Sequence, residues 1–202
     1  MNYRIALLSF FILLGTQKTV QAQNYLVDED ADYSAIFNES NLSLTNTDTI
    51  PGFNSKAQKL KVTGTIYESD GVTPAKDVVL YIEQADENGD FDLRTSNEQR
   101  YVHHRGWVKT DANGQYTIYT FLPGNDRRYN LLQQLFLIVK HNGEAREMES
   151  LLFDSDPLLS KACRKKITKK GDPSRILKTT TVNDMLVAQK DIVLYESSEA
   201  TK

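Results

Sequence analysis

The chain has 202 residues, enough for one domain with an extension at each end. Its 24 Lys and Arg against 27 Asp and Glu give a net charge of −3, which excludes the global basic field that drives non-specific nucleic-acid binding. A single cysteine, Cys163, excludes an internal disulfide framework and a zinc-thiolate cluster, and three histidines (His103, His104 and His141) leave little material for a histidine-rich metal site.

Residues 1–22 read as a signal peptide. Arg4 supplies the positive start, Ile5 to Leu14 the apolar run, and Val20-Gln21-Ala22 a small-residue cleavage site before Gln23. The apolar run is about half of what a bilayer span needs. A periplasmic or secreted protein with no membrane span after cleavage is therefore expected. Residues 23–58 are polar and acidic, without a period of 2 or 3.6, and read as a leader or linker.

Strand signals begin at residue 59. Lys59–Tyr67 alternates, with Leu60, Val62 and Ile66 on one face. Asp70-Gly71 turns the chain into Val78–Ile82, apolar on both faces. Tyr101–Lys109 is a third predicted strand, with the adjacent His103 and His104 pointing to opposite faces. Gln115–Leu122 follows the Asp111 to Gly114 loop and stops at Pro123-Gly124. Leu135–Lys140 and Glu144–Phe153 flank the hairpin signal Asn142-Gly143. The stretch from Asp156 to about Thr181 is mixed helix and loop. It contains the basic run Lys161–Lys170, a solvated helix face or a phosphate dock. Asp191–Tyr195 is the last predicted strand. The sum is an all-β chain, an antiparallel β-sandwich over 59–196 with a short helical or loop region near the C-terminus and a polar tail at 197–202. No phosphate loop, nucleophile elbow or His-Glu-x-x-His helix occurs.

Three segments carry a family resemblance. They are KLKVTGTIYESDGVTPAKDVVLYIEQADENGDF from Lys59, RGWVKTDANGQYTIYTFLPG from Arg105, and LLFDSDPLL from Leu151. Together with the closing DIVLY they make the chain similar to the intradiol ring-cleavage dioxygenase family. That resemblance implies a prealbumin- or dioxygenase-like sandwich. It also implies a non-haem Fe(III) site of two tyrosinates and two histidines, acting on catechol-like aromatics. Phenolate is a hard anionic donor suited to ferric iron. Carried over residue by residue, the two tyrosine positions hold Phe91 and Asn125, and the two histidine positions hold Gln134 and Phe136. Tyr129, four residues past Asn125, is the metal-ligand candidate, with Tyr101 and one histidine as partners of a relocated site. Arg105 reads as a structural arginine facing a carboxylate on a neighbouring strand.

The expectation is thus an exported dioxygenase-like sandwich that lacks the ferric site, needs no cofactor, and binds an unidentified ligand or protein but no nucleic acid. Two alternatives stand beside it. One is an active dioxygenase with a divergent Fe(III) site. The other is a prealbumin-like accessory module of the cell envelope.

Overall fold

A computed structural model describes residues 33, 36, 37, 43–96 and 98–195. The expected signal peptide at 1–22 and tail at 197–202 lie outside the described residues, as does part of the leader. The described strands are β1 (Thr47–Thr49), β2 (Lys59–Tyr67), β3 (Val79–Gln84), β4 (Leu93–Ser96), β5 (Gln99–Val102), β6 (Arg105–Lys109) and β7 (Gln115–Phe121). They continue with β8 (Gln134–His141), β9 (Glu144–Phe153), β10 (Ile176–Leu177), β11 (Thr180–Val182), β12 (Met185–Gln189) and β13 (Ile192–Val193). The helix α1 spans Lys161–Lys170, and single 3-10 turns span Phe53–Ser55 and Pro173–Arg175.

Two sheets face each other. The first runs β1-β7-β2-β12-β11, with β13 also paired to β2, and the second runs β10-β9-β8-β3-β6. Between them lies a core built from the period-2 alternation of both. Leu60, Val62, Ile66, Tyr116 and Ile118 come from one sheet; Leu80, Ile82, Val108, Leu135, Leu137 and Phe153 come from the other. Each such side chain contributes about 1.5–3 kcal/mol by leaving water. The only polar side chain of β3 in this layer, Gln84, is fully satisfied. It donates to the Phe121 carbonyl at 3.0 Å and accepts from the Thr120 hydroxyl, which removes the cost of burying it.

The antiparallel pattern holds for the central pairs β2–β7, β3–β6, β3–β8 and β8–β9. The peripheral pairs differ: β1–β7, β12–β2, β13–β2 and β10–β9 are parallel, so the sheets are mixed. The predicted third strand is two strands. His103 and His104 occupy a bend between β5 and β6, and their rings lie side by side with centroids 5.1 Å apart rather than on opposite faces. The bend frees β5 to pair with β4 in a separate two-stranded hairpin. Of the expected last strand only Ile192–Val193 pairs, and Met185–Gln189, which lies between the predicted elements, is a strand along β2.

The leader also proves partly integral. Ile50 is 1 % exposed and belongs to the core. Asp48 accepts the Trp107 backbone N–H at 2.9 Å, and the Thr45 carbonyl accepts the Lys109 N–H at 2.8 Å. Residues 45–48 therefore satisfy the free edge of β6, which would otherwise be open to pairing with another chain.

The family-like motif from Thr110 to Tyr116 works locally. The Thr110 hydroxyl donates to the Ala75 carbonyl and accepts from the Val78 N–H. Asp111 accepts the Asn113 and Gln115 N–H groups, and Gly114 takes a positive φ of 68° beside the Ile66 carbonyl. The Tyr116 hydroxyl is fully buried and donates to the Lys190 carbonyl at 2.7 Å. That same carbonyl presses on Gly64, where an added Cβ would sit 1.8 Å from the oxygen. Gly64→Ala is therefore expected to lower the unfolding free energy in urea by about 3 kcal/mol or more. An unchanged midpoint would show that the contact imposes no constraint.

Candidate functional site

The outer face of the second sheet carries the side chains that the core rejects. On β3, Leu80 and Ile82 point inward, so Tyr81 and Glu83 point outward. On β6 Val108 points inward and Arg105 and Trp107 outward; on β8 Leu135 and Leu137 point inward and Gln134, Phe136 and Ile138 outward. Register aligns them in two rows. Phe136, Glu83 and Arg105 form one row, and Ile138, Tyr81 and Trp107 the next.

Two segments cover these rows. Phe37 joins Tyr81 and Ile138 in a small second core, with Tyr33 and Ile36 packed against it, and Trp107 Nε1 donates to the Ile36 carbonyl at 3.2 Å. The β4–β5 hairpin forms the other wall. Its Tyr101 ring lies 3.8 Å from the Arg105 guanidinium, which is also 5.1 Å from the Trp107 ring centre. Between them opens a cleft of about 530 Å³ lined by Tyr81, Glu83, Leu93, Tyr101, Arg105 and Trp107 among others. Its walls are largely aromatic and aliphatic, with the exposed Gln99 and Arg100 of the hairpin also lining it, and the outward row of the sheet supplies the Glu83 carboxylate beside the Arg105 guanidinium. Such a lining suits a ligand with an apolar body and a polar edge.

Burial in this cleft raises the Glu83 carboxyl above its ordinary value; the Tyr81 hydroxyl that donates to it and the Arg105 charge oppose the shift, and Glu147 adds to it. The Arg105 placement agrees with the expectation of an arginine facing a carboxylate across strands.

The four positions that the resemblance assigns to iron ligands do gather at one end of this face. The rings of Phe91 and Phe136 pack with centroids 5.8 Å apart. Gln134 shares the outward face of β8 with Phe136 and accepts from the Ser150 hydroxyl at 3.2 Å. Asn125 follows the Pro123-Gly124 turn, which packs on the loop leading to Phe91: the Gly124 N–H donates to the Asp86 carbonyl at 2.7 Å, and Gly89 leaves no room for a Cβ beside the Asn125 carbonyl. The Asn125 amide donates to the buried Asp156 carboxylate at 2.9 Å.

This donor set does not fit ferric iron. Two benzyl rings offer no lone pair, and the two carboxamides are neutral and engaged in hydrogen bonds. Tyr129 lies in the Asp126 to Leu131 loop, 74 % exposed, with the Arg128 guanidinium 5.7 Å from its ring. Arg128 reaches Asp126 and Asp90 and holds the Asp126 carboxyl below the usual carboxylate range. The histidines serve elsewhere. His104 is buried edge-on against Phe121, and its Nδ1–H donates to the Pro51 carbonyl at 3.1 Å, an oxygen that can only accept. Partial burial, Arg94 and His104 lower the His103 pKa. His141 lies 3.4 Å from Glu68. Among the described residues no three His, Cys, Asp or Glu side chains converge as a metal-binding group.

The sequence reading missed Tyr81, Glu83 and Trp107. The signal was present as aromatic or charged residues two apart on strands whose alternate positions are apolar. It was obscured on β3 because Tyr81 reads as apolar, which suggested burial on both faces.

No family model and no curated protein matches the chain. Solved structures share its fold. The dioxygenase domain of a dioxygenase carbohydrate-binding protein fusion from the cellulolytic bacterium Streptomyces sp. SirexAA-E is 19% identical with a TM-score of 0.57, over 76% of this chain and 89% of that one. An intradiol ring-cleavage dioxygenase from Tetranychus urticae is 18% identical with a TM-score of 0.51, over 69% and 82%. Catechol 1,2-dioxygenase from Acinetobacter radioresistens is 14% identical with a TM-score of 0.56, over 78% and 59%. The chain therefore has the intradiol dioxygenase fold, as its motifs indicate.

The raised Glu83 carboxyl has a consequence for stability. Between its ordinary value of 4.5 and its higher native value, the folded state holds more protons than the unfolded state. This group's contribution to stability therefore falls as pH rises through that window. Glu83→Gln removes that fall. Its unfolding free energy relative to the unsubstituted protein should climb from about pH 4 to about pH 7, measured by urea unfolding at several pH values. A flat or opposite difference would mean that Glu83 is not desolvated in the cleft.

Proposed function

We propose that this chain is an exported binding module on the intradiol dioxygenase sandwich, working without a ferric centre. The observation that carries this reading is the Phe91–Phe136 ring pair. It stands where the resemblance calls for a tyrosinate and an imidazole. An apolar contact there stabilises the protein by burial and supplies no ligand. Gln134 and Asn125, at the other two positions, are held by Ser150 and Asp156.

The cleft next to this patch is the seat of the ligand. Phe136 neighbours Glu83 in the register of the sheet, and Glu83 neighbours Arg105. The site of the proposed chemistry-free binding therefore adjoins the place of the family's reaction. Aromatic walls supply contact area there, and the Glu83–Arg105 row supplies the polar anchor.

The purified protein, incubated with ferric iron and desalted, should be colourless and retain less than about a tenth of an iron per chain, because phenolate donors are missing. It should take up no oxygen with catechol or protocatechuate. A tyrosinate-to-iron charge-transfer band with about one iron per chain would overturn the reading. Export is tested separately. Expressed with its full sequence in a Gram-negative host, the chain should be recovered from the periplasm or medium beginning at Gln23; an uncleaved cytoplasmic product would remove the export part of the proposal.

A further inference from the structure

The α1 helix, Lys161–Lys170, buries none of its residues. Its sequence KACRKKITKK holds six cationic side chains and no acid. The inward side holds it to the sandwich. Arg164 donates to Asp154 and to the Leu159 carbonyl, and Cys163 and Ile167 are half-buried. The Ser160 hydroxyl caps the first turn by accepting the Cys163 N–H. The remaining cations, Lys161, Lys165, Lys166, Lys169 and Lys170, are all exposed.

The fold gives these five lysines no ion-pair partner among the described residues, and only Lys169 and Lys170, in the last turn, gain from the helix dipole. The nearby carboxylates are each taken by another cation: Asp154 by Arg164, Glu149 by Arg175, and Asp172 by Lys190. None of the five lysines has an ion-pair partner among the described residues. Three like-charged pairs stand four residues apart: Lys161–Lys165, Lys165–Lys169 and Lys166–Lys170. They lie about 6 Å apart along the axis and destabilise the helix. Lys161 also opposes the positive end of the helix dipole. A ten-residue helix is marginal in isolation, and the like-charged pairs on this one weaken it further. A like-charged face that its fold leaves without ion-pair partners is a candidate functional surface.

We propose that the outward face of α1 docks an acidic polysaccharide, a flexible polymer bearing carboxylates or sulfates. The side chains select among polyanions. The face carries no aromatic ring on which bases could stack. Its free cations are lysines, which meet an anionic group as point charges and not through a bidentate fork. Only Ala162 and Thr168 accompany them outward, so nothing apolar of any size enters a lipid layer. A row of point charges on one helix face matches a chain of repeating single charges, and relief of the lysine repulsion adds to the attraction.

Titration calorimetry of the purified protein with oligogalacturonate and with a heparin oligosaccharide tests this. Binding is expected to both, weakening roughly tenfold or more between about 50 and 200 mM salt. The triple variant Lys165→Gln, Lys166→Gln, Lys169→Gln should lose at least about tenfold in affinity while its melting temperature stays equal or rises, because repulsion is relieved. The charge-preserving triple variant Lys165→Arg, Lys166→Arg, Lys169→Arg should keep the affinity within a factor of about three. The proposal is overturned by absence of binding to both saccharides or by unchanged affinity in the glutamine variant. Tighter binding to a single-stranded oligonucleotide or to phosphatidylglycerol vesicles also overturns it.

Discussion

The register of β3 is the constraint on which the rest depends. It is hydrogen-bonded on both sides, to β6 and to β8, so its alternation is imposed on three strands at once. Leu80 and Ile82 fall between the sheets, and Tyr81 and Glu83 fall on the outer face. A slip of one residue would send Glu83 into the core and a leucine into the cleft. Gln84 pins the register from within, because its cross-sheet hydrogen bonds form only where Thr120 and Phe121 stand. Core and cleft are thus two faces of a single pairing.

Much of the sandwich was legible because its strongest signals are local. β2 was bounded to the residue, since alternation and turn chemistry coincide there. Thr110, Asp111, Gly114 and Tyr116 were read as a family motif, and every one of them proves to hold a turn or a strand crossing. That is why these residues announce the fold and not a reaction. The parts that were not legible depend on distant partners. β1 and β12 are short or weakly patterned and exist because β7 and β2 offer them an edge. The strand drawn through His103 and His104 breaks there, and the separated β5 pairs with β4 instead of continuing into β6.

The candidate site was legible at the level of position and not of chemistry. Phe91, Asn125, Gln134 and Phe136 could be marked from the motifs around them, and they do assemble at one end of one face. What sequence could not supply was the neighbouring cleft, because its walls come from four separate stretches: the residues around Ile36, β3, β6 and the hairpin. The polar segment before β2 gave no periodic signal, yet it carries Ile50 into the core and Asp48 to the edge of β6. Isolated anchoring residues leave no period to detect.

Trp107 is the only tryptophan in the chain, and it stands in the cleft wall beside the Arg105 guanidinium, with the Tyr81 ring packed against it at a centroid distance of 5.2 Å. Indole emission is therefore a local signal in this protein, originating from one point on one face. A change in its wavelength or intensity registers what happens between β6 and the hairpin, undiluted by any second fluorophore of its kind. The fold has an optical probe already installed in the wall of its candidate binding cleft.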